Sequence, residues 1–298
     1  TMSVVDVETG ERNIFEYCAN DLADEVVGMW VCNEGVAGMT IQNYQNNGKS
    51  IFTGFSLGAN DYLTNMESTY KVVGNLMFQK TGDRYFVTRL TYVPNGTAMG
   101  DILSTTATIL VNGNYVTSTY SFLRIKKSLD LAGQNYNYIK TYVSNVKGED
   151  KDIDFMGYTF NFAKMDGSGL DKMLKSLLFA VEFPDANTLG YSYQMNGNKE
   201  TYNSPIVVEG NKMTIKMSAK VPTLKDVVLY AFQDADCSQM HFYMHKTAFV
   251  SFYTNMQAML MAATNEQFDI TNAEAVNAIY DNINNAVETI NVSLVMSK

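Results

Sequence analysis

Cysteine, histidine and positive charge are scarce in this chain of 298 residues. Three cysteines are an odd number, which excludes a complete disulfide framework, and their spacing matches no zinc-binding pattern. We therefore interpret Cys18, Cys32 and Cys237 as buried thiols. Lys and Arg number 22 against 31 Asp and Glu, which gives a net charge of −9. Because a phosphate backbone is bound by clustered cations, this balance argues against a nucleic-acid partner.

The rest of the composition is that of a globular protein. Apolar residues make up 46% of the chain, which excludes disorder and a collagen-like repeat. The length predicts two domains. Acidic residues are concentrated in the first 30 positions, where seven of them accompany a single arginine. We expect this segment to be a solvated leader with a short helix on Ile14, Tyr17, Cys18 and Leu22.

Only one stretch approaches the length of a membrane span. Residues 247–265 carry no charge over 19 positions, close to what a bilayer requires. Hydroxyl and amide side chains interrupt this stretch, whereas its large apolar residues recur at steps of three and four. The pattern predicts an amphipathic surface helix that lies on a core.

Residues 24–127 consist of short runs of β-branched and aromatic residues separated by glycine and asparagine. The predicted strands are 26–32, 49–55, 67–73, 85–93, 102–111 and 115–125. The last two flank Asn112-Gly113-Asn114, which is typical of a hairpin turn. Since no helix separates these strands, the sequence predicts an antiparallel meander that closes into a barrel or a sandwich.

A second series of strands follows a change of composition at residues 126–150. Strands are predicted at 158–162, 189–195, 206–209, 212–219, 227–233, 240–244 and 290–296, and helices around 170–178, 249–260 and 272–288. We expect the last strand to return into the sheet. The predicted fold is mainly β, with two tandem antiparallel β-barrel domains. Residues 1–130 would form an N-terminal helix and the first barrel, and residues 131–298 a linker, the second barrel, its helices and the C-terminal strand.

The only tryptophan, Trp30, lies on the first predicted strand. A short helix followed by Gly28-Met29-Trp30 is similar to the lipocalin opening, in which the tryptophan plugs the closed end of the barrel. The last strand of this unit ends Phe122-Leu123-Arg124, and lipocalin-like proteins commonly stack an arginine there on the tryptophan. The resemblance assigns Trp30 and Arg124 to structure, with a cation–π contact worth about 1 kcal/mol. The family's Thr-Asp-Tyr motif is absent, so the resemblance covers about a third of the chain and implies no binding specificity.

Three segments of the C-terminal part, at 227–234, 240–244 and 291–296, carry a second resemblance. They are similar to segments of lipocalin-like or calycin-like lipoproteins of gut Bacteroidetes. Those proteins resemble one another in tandem barrel units and are largely without assigned activity. The resemblance implies an extracytoplasmic location, in the periplasm or at the cell surface. It also implies a lipid anchor on a cysteine upstream of this sequence.

Two patterns are similar to catalytic or metal-binding motifs. Residues 54–58, Gly-Phe-Ser-Leu-Gly, match the nucleophile elbow of serine hydrolases, which needs a parallel sheet and a nearby base. The predicted meander favours a plain β-turn. Cys237, His241 and His245 would share one face of a helix, but their neighbours predict a strand, on which positions four apart are separated by about 13 Å. We therefore expect no catalytic residue, metal or other cofactor.

Two further groups have both a plain and a functional interpretation. The acid pairs Asp152/Asp154 and Asp234/Asp236 could serve acid–base chemistry or calcium binding, and we interpret them as solvated turns. The tyrosines at positions 136, 138 and 142 share one face if their segment is extended, so they could form a stacking platform for sugars. Packing of the linker onto a barrel explains the same three rings.

Methionine is in excess, with 18 residues. Flexible thioethers fill irregular gaps in a core, and they also line surfaces that accept varied apolar ligands. A soft core therefore explains the excess without a ligand. The functional hypothesis is a cavity of several hundred Å³ in the second half, capped by a helix at 247–263. Its candidate ligand-binding residues are Met195, Met213, Met217, Met240, Met244, Phe252, Met256 and Met259.

The sequence thus leads us to expect a non-enzymatic, extracytoplasmic, lipocalin-like protein. It would bind a hydrophobic or amphiphilic small molecule by burying the ligand's apolar surface in a barrel. The alternative is a structural or interaction surface lipoprotein with solid barrels, whose loops recognise glycan or protein partners. Contact with a membrane is expected only through the lipid anchor.

Overall fold

The computed structural model describes residues 2–5, 9–10, 12–15, 21–35, 38–55, 63–97, 100–155, 158–195, 197–265 and 267–298. The chain divides into two compact units, one made mainly of residues before Arg124 and the other mainly of residues from Ile125 onward. Each unit contains a closed ring of eight antiparallel strands, so the protein is mainly β with two barrels.

The N-terminal segment begins as a hairpin. Strand β1 (Met2–Val5) pairs antiparallel with β2 (Arg12–Phe15), and Gly10 has a φ of +70° between them. The predicted helix through Ile14 is therefore wrong at that residue, because Ile14 pairs with Ser3 in the hairpin. Tyr17 and Cys18 lie outside the described residues. The helix that precedes the first barrel is a single turn, α1 (Ala23–Val26).

The first barrel follows the order of the chain. Its strands are β3 (Gly28–Gly35), β4 (Gly38–Tyr44), β5 (Lys49–Phe55), β6 (Leu63–Val73), β7 (Leu76–Thr81), β8 (Arg84–Thr97), β9 (Gly100–Val111) and β10 (Asn114–Ile125). Each strand neighbours the next, and β10 closes the ring on β3. The hairpin predicted at Asn112-Gly113 joins β9 and β10, and both residues have positive φ there.

Trp30 and Arg124 close one end of this barrel. Trp30 is completely buried, and its indole Nε1 donates to the carbonyl of Val26 at 2.8 Å. The guanidinium carbon of Arg124 lies 4.3 Å from the centroid of the Trp30 ring. Arg124 also pairs with Asp101 at 3.0 Å and donates to the carbonyl of Val27 at 2.8 Å. The arginine is therefore fixed on three sides over the tryptophan ring.

The second unit combines its barrel with a hairpin and three helices. In chain order the elements are β11 (Gln134–Gly148), β12 (Asp152–Phe155), β13 (Tyr158–Asn161), α2 (Ser168–Ser176), β14 (Ala180–Asp185), β15 (Thr188–Met195), β16 (Asn198–Glu209), β17 (Lys212–Ile215), a short 3₁₀ helix (Met217–Ala219), β18 (Val227–Gln233), β19 (Gln239–His245), α3 (Lys246–Thr264), α4 (Ala273–Ala286) and β20 (Val287–Ser297). The ring runs from β11 through β14–β19 to β20, and β20 pairs with both β19 and β11. The C-terminal strand thus closes the barrel, and the segment expected to be a linker supplies its first strand.

Helix α3 is more deeply buried than an amphipathic surface helix would be. Most of its large apolar residues are buried, and so are Ser251, Thr254 and Asn255, which the sequence pattern placed on a polar face. Asn255 is accommodated because its side chain accepts from the backbone N–H of Lys225 at 2.9 Å and donates to the carbonyl of the same residue at 2.7 Å. Across the described stretches of the chain, we find no helix with the length and apolarity needed to cross a bilayer.

Candidate functional site

The second barrel contains a cavity of about 50 Å³ with an almost wholly apolar wall. Barrel strands form most of this wall, and α3 completes it. The strand and loop residues are Phe179, Val181, Leu189, Tyr191, Ile215, Met217, Val227, Leu229, Phe242, Met244 and Leu294, and the helix contributes Phe252, Asn255, Met256 and Met259. The inward positions alternate along each strand, as the pleat requires; Phe242 and Met244 are an example on β19.

The cavity collects five of the eight candidate ligand-binding residues. Met217, Met244, Phe252, Met256 and Met259 all belong to its wall. The other three differ from these. Met213 and Met240 are completely buried in the same core but do not line the cavity, and Met195 ends β15 with a side chain outside the described part of the structure.

Two buried hydroxyl groups hold two of the cavity's methionines. The hydroxyl of Tyr191 donates to the sulfur of Met259 at 2.8 Å, and the hydroxyl of Ser204 donates to the sulfur of Met217 at 3.1 Å. Burial raises the pKa of Tyr191 well above its ordinary range, so this phenol remains a donor at neutral pH. Sulfur is a weak acceptor, and an oxygen acceptor on a ligand would compete well for the hydroxyl of Tyr191, which belongs to the cavity wall.

Three buried polar residues, Tyr191, Ser204 and Asn255, were not predicted from the sequence as part of this site. Tyr191 and Ser204 lie on strands, where the alternation of residues shows which face of the sheet a side chain is on. It does not show which other element packs against that face. Their methionine partners come from later parts of the chain, since Met259 is 68 positions beyond Tyr191. Only the closed barrel brings these residues together.

The size of the cavity limits what it can hold. A single water needs about 10–15 Å³, whereas pockets for drug-sized ligands measure about 300–1,000 Å³. The cavity is therefore much smaller than the several hundred Å³ expected from sequence. Most of the barrel interior is filled by its own side chains, including Phe183, Met213, Met240, Phe242 and Met244.

A wider and more polar depression of about 390 Å³ lies on the opposite face of the same sheet. Lys212, Tyr230 and Tyr243 form a row there, since they are paired directly across β17, β18 and β19. The carboxylate of Asp226 also lines the depression and accepts from Lys216 at 2.9 Å. Together with a hydrogen bond from Ser218, this ammonium group lowers the pKa of Asp226 despite partial burial.

The other motifs give no assembled catalytic or metal site within the described residues. Gly54 and Phe55 end β5, and residues 56–58 of the elbow pattern lie outside the description. Cys237, His241 and His245 are all buried, the histidines at the middle and the end of β19. Over the described ranges, no group of three or more His, Cys, Asp or Glu side chains could hold a metal ion.

The acid pairs lie on or beside turns. Asp152 accepts from the amide of Asn161 at 2.8 Å across the β12–β13 hairpin. Asp234 is buried and accepts the backbone N–H of Gln239 at 2.9 Å, and burial raises its pKa. The expectation of a solvated turn is therefore wrong for Asp234, whose carboxylate organises the turn before β19 from inside.

The three tyrosines of β11 do not form one platform. Tyr136 is buried, and its hydroxyl donates to the carbonyl of Cys237 at 3.1 Å. The hydroxyl of Tyr138 donates to Asp171 at 2.6 Å. The pairing register of β11 with β20 shifts by one residue between Tyr138 and Lys140, which reverses the faces of the strand beyond that point. Tyr142 therefore faces away from the other two rings.

No protein-family model matches this chain, and no curated protein matches it either. The assignment of function therefore rests on the residues and contacts described above.

Proposed function

We propose that this protein is a non-enzymatic binding protein that takes up a small apolar or amphiphilic molecule in its second barrel. The observation that carries the proposal is the apolar cavity between the strands and α3, whose wall includes four methionines, Met217, Met244, Met256 and Met259. Methionine side chains are unbranched and rotate easily, so such a wall adapts to a ligand at low cost.

In its present packing the cavity accepts only a very compact ligand. A larger one enters when Met256 and Met259 rotate away from the strands, because both belong to the helix that completes the wall. Each Å² of apolar ligand surface buried contributes about 25 cal/mol, and the ordering of mobile side chains offsets part of this gain. The hydroxyl of Tyr191, which loses its sulfur partner when Met259 moves, then orients a polar end of the ligand.

A titration with the fluorescent apolar probe 1-aminoanthracene tests the proposal. We expect saturable binding to the whole chain, and Met259→Ala should tighten it several-fold because the substitution enlarges the cavity. Met261→Ala is the matched control, since Met261 lies on the same helix but not on the cavity wall. The proposal fails if neither the wild-type chain nor Met259→Ala binds the probe, or if both substitutions have the same effect.

The tight packing and the wider polar depression favour a second candidate from another class. In that case the barrels are solid, and the exposed Lys212 and the half-buried Tyr230 belong to a surface that contacts a glycan or a protein. Native mass spectrometry of freshly purified protein separates the two candidates. An extra mass that organic solvent extracts supports the apolar ligand, whereas a bare chain that associates with a glycan or protein supports the second candidate.

We also propose that the first barrel is of the lipocalin type and that the protein is exported and lipid-anchored. Eight strands in chain order and the contact between Trp30 and Arg124 support the first part. The second part is supported by the resemblance to Bacteroidetes lipoproteins described above. Fractionation of the source cells with an antibody to this chain tests it, and recovery in the cytosol would contradict it.

A further inference from the structure

The inward face of the first barrel can be followed strand by strand. A cluster of buried apolar side chains packs around Trp30 at the closed end, and its members are Val26, Cys32, Tyr44, Val72, Met77, Leu90, Leu103 and Phe122. Successive side chains on a strand point to opposite faces, so the residue two positions further along faces the same side. This rule gives the next layer of the lumen, away from the tryptophan.

Six strands present polar or phenolic side chains in that next layer, and on β5 the same rule brings Phe52 beside them, two positions after Ser50. One step further from the closed end, β4, β6, β7, β8, β9 and β10 present Gln42, Tyr70, Gln79, Thr88, Thr105 and Tyr120 respectively. The rings of Tyr70 and Tyr120 pack against the apolar cluster, which confirms that they face the lumen. The amide of Gln79 donates to the hydroxyl of Ser50 on β5 at 3.2 Å, across the same face.

Solvent reaches several side chains of this layer. Gln42, Gln79, Thr105 and Tyr120 are each partly exposed although they face the inside of a closed ring. The inward residues of β19 in the second barrel are buried, by contrast. The carbonyl oxygen Oε1 of Gln42 is itself buried and has no hydrogen-bond partner among the described residues. An acceptor in this position is costly unless water or a ligand donates to it.

The chemistry of the layer restricts its ligand. An apolar molecule would strip water from several hydroxyl and amide groups without replacing their hydrogen bonds, at about 1–3 kcal/mol for each group left unpaired. A charged molecule would meet no opposite charge, since none of the six side chains is ionised at neutral pH. Amides and hydroxyls both donate and accept, as sugar hydroxyls do, and tyrosine rings offer flat apolar faces to a sugar ring.

We propose that the lumen of the first barrel binds a neutral carbohydrate through the layer formed by Gln42, Tyr70, Gln79, Thr88, Thr105 and Tyr120. This site is separate from the apolar cavity of the second barrel and does not depend on it. The ring of Tyr120 stacks on one face of a sugar, and the amides and hydroxyls of the layer exchange hydrogen bonds with its hydroxyl groups.

The test uses the whole chain on an array of neutral mono- to tetrasaccharides, followed by calorimetric titration of any sugar that binds. Thr105→Val should weaken that binding at least five-fold, because it replaces a lumen hydroxyl by a methyl group of the same size. Thr106→Val is the matched control, since Thr106 is the next residue, faces outward and bonds to Thr119 at 3.0 Å. We expect this control to change affinity by less than two-fold.

A second variant, Tyr120→Leu, removes the stacking ring and should abolish measurable binding. The fluorescence of Trp30 at the base of the same barrel checks that each variant is folded. The proposal is overturned if no neutral saccharide on the array binds saturably. It is also overturned if Thr105→Val and Thr106→Val affect binding equally, because the sugar site then lies elsewhere on the chain.

Discussion

Gly28 shows how one residue fixes the closed end of the first barrel. Its φ is +140°, a region that side chains strongly disfavour. A Cβ atom at this position would lie 2.7 Å from Nη1 of Arg124, the nitrogen that donates to the carbonyl of Val27. The absence of a side chain therefore makes room for the arginine that covers Trp30.

We predict that Gly28→Ala lowers the free energy of unfolding by about 3 kcal/mol, from backbone strain and displacement of Arg124. Urea unfolding followed by Trp30 fluorescence measures it. The control is Gly82→Ala in a hairpin turn, where φ is +57° but nothing lies within 4 Å of the added atom. It should cost only about 1 kcal/mol. Equal losses would mean that Arg124 adapts freely.

At the residue scale, sequence reasoning succeeded where a residue type carries the signal by itself. Trp30 is the only tryptophan, and the excess of methionine marked four residues of the cavity wall. It failed where a role depends on a distant partner. The bond from Tyr191 to Met259 and the burial of Asp234 leave no trace in local spacing.

Among the elements, the position of helix α3 depends on a buried polar side chain. Asn255 is buried in the middle of this helix and bonds both backbone groups of Lys225, in the loop before β18. This loop has no regular backbone pairing. The side-chain amide of Asn255 therefore takes the place of a backbone partner for both the N–H and the C=O of Lys225. This side chain fixes the helix that completes the cavity wall.

We predict that Asn255→Ala lowers the free energy of unfolding by about 3 kcal/mol, since it leaves one N–H and one C=O of Lys225 without their partners. Urea denaturation monitored by circular dichroism measures this loss. Gln257→Ala, on the same helix and partly exposed, should cost less than about 1 kcal/mol. If the two variants lose equal stability, Asn255 does not anchor the helix.

The sequence patterns predicted most of the helices and strands, but they missed some strands and gave the wrong face for one residue. The three helices of the second half and strands such as β18 were placed within a few residues. Strands β4, β7 and β14 were missed, because each has only six or seven residues and a short apolar run does not by itself define a strand. The face of Tyr142 was wrong because one extra residue in β11 reverses the alternation, and only the pairing with β20 shows this.

For the whole molecule, the tandem arrangement of two antiparallel barrels was predictable, because strand patterns run through the first half and start again after residue 150. The closure of each ring was expected only on the general ground that open edges are avoided. The sequence could not show that the supposed linker at 134–148 pairs with the C-terminal strand, since this contact spans half of the chain. The small volume of the cavity was equally unpredictable, because a soft core and a ligand pocket use the same residues.

The stability of the molecule should depend on pH through His241. Burial lowers the pKa of this imidazole from its ordinary value of 6.5 to about 4. Between these values the unfolded chain binds a proton that the folded chain does not, so the free energy of unfolding falls as the pH falls. We predict a loss of about 2 kcal/mol from this residue between pH 7 and pH 5.

Urea denaturation at several pH values measures this dependence. His241→Gln removes the titrating group and should flatten the curve between pH 7 and pH 5, whatever its effect at pH 7. An unchanged slope in this variant would show that His241 is not responsible. Most carboxyl groups titrate below this range, so they contribute little to the difference between the two proteins.

The pairing of β20 with β11 also has a consequence for biosynthesis. Strand β11 is complete at Gly148, but its partner β20 begins only at Val287, after roughly 140 further residues. At about 5–20 residues per second, the ribosome needs on the order of ten seconds to make that stretch. Throughout this interval one edge of the nascent β11 has no strand beside it, an arrangement that favours aggregation. Closure of the second barrel is therefore a late event in the synthesis of this protein, and chaperones that cover strand edges should act on the nascent chain before it.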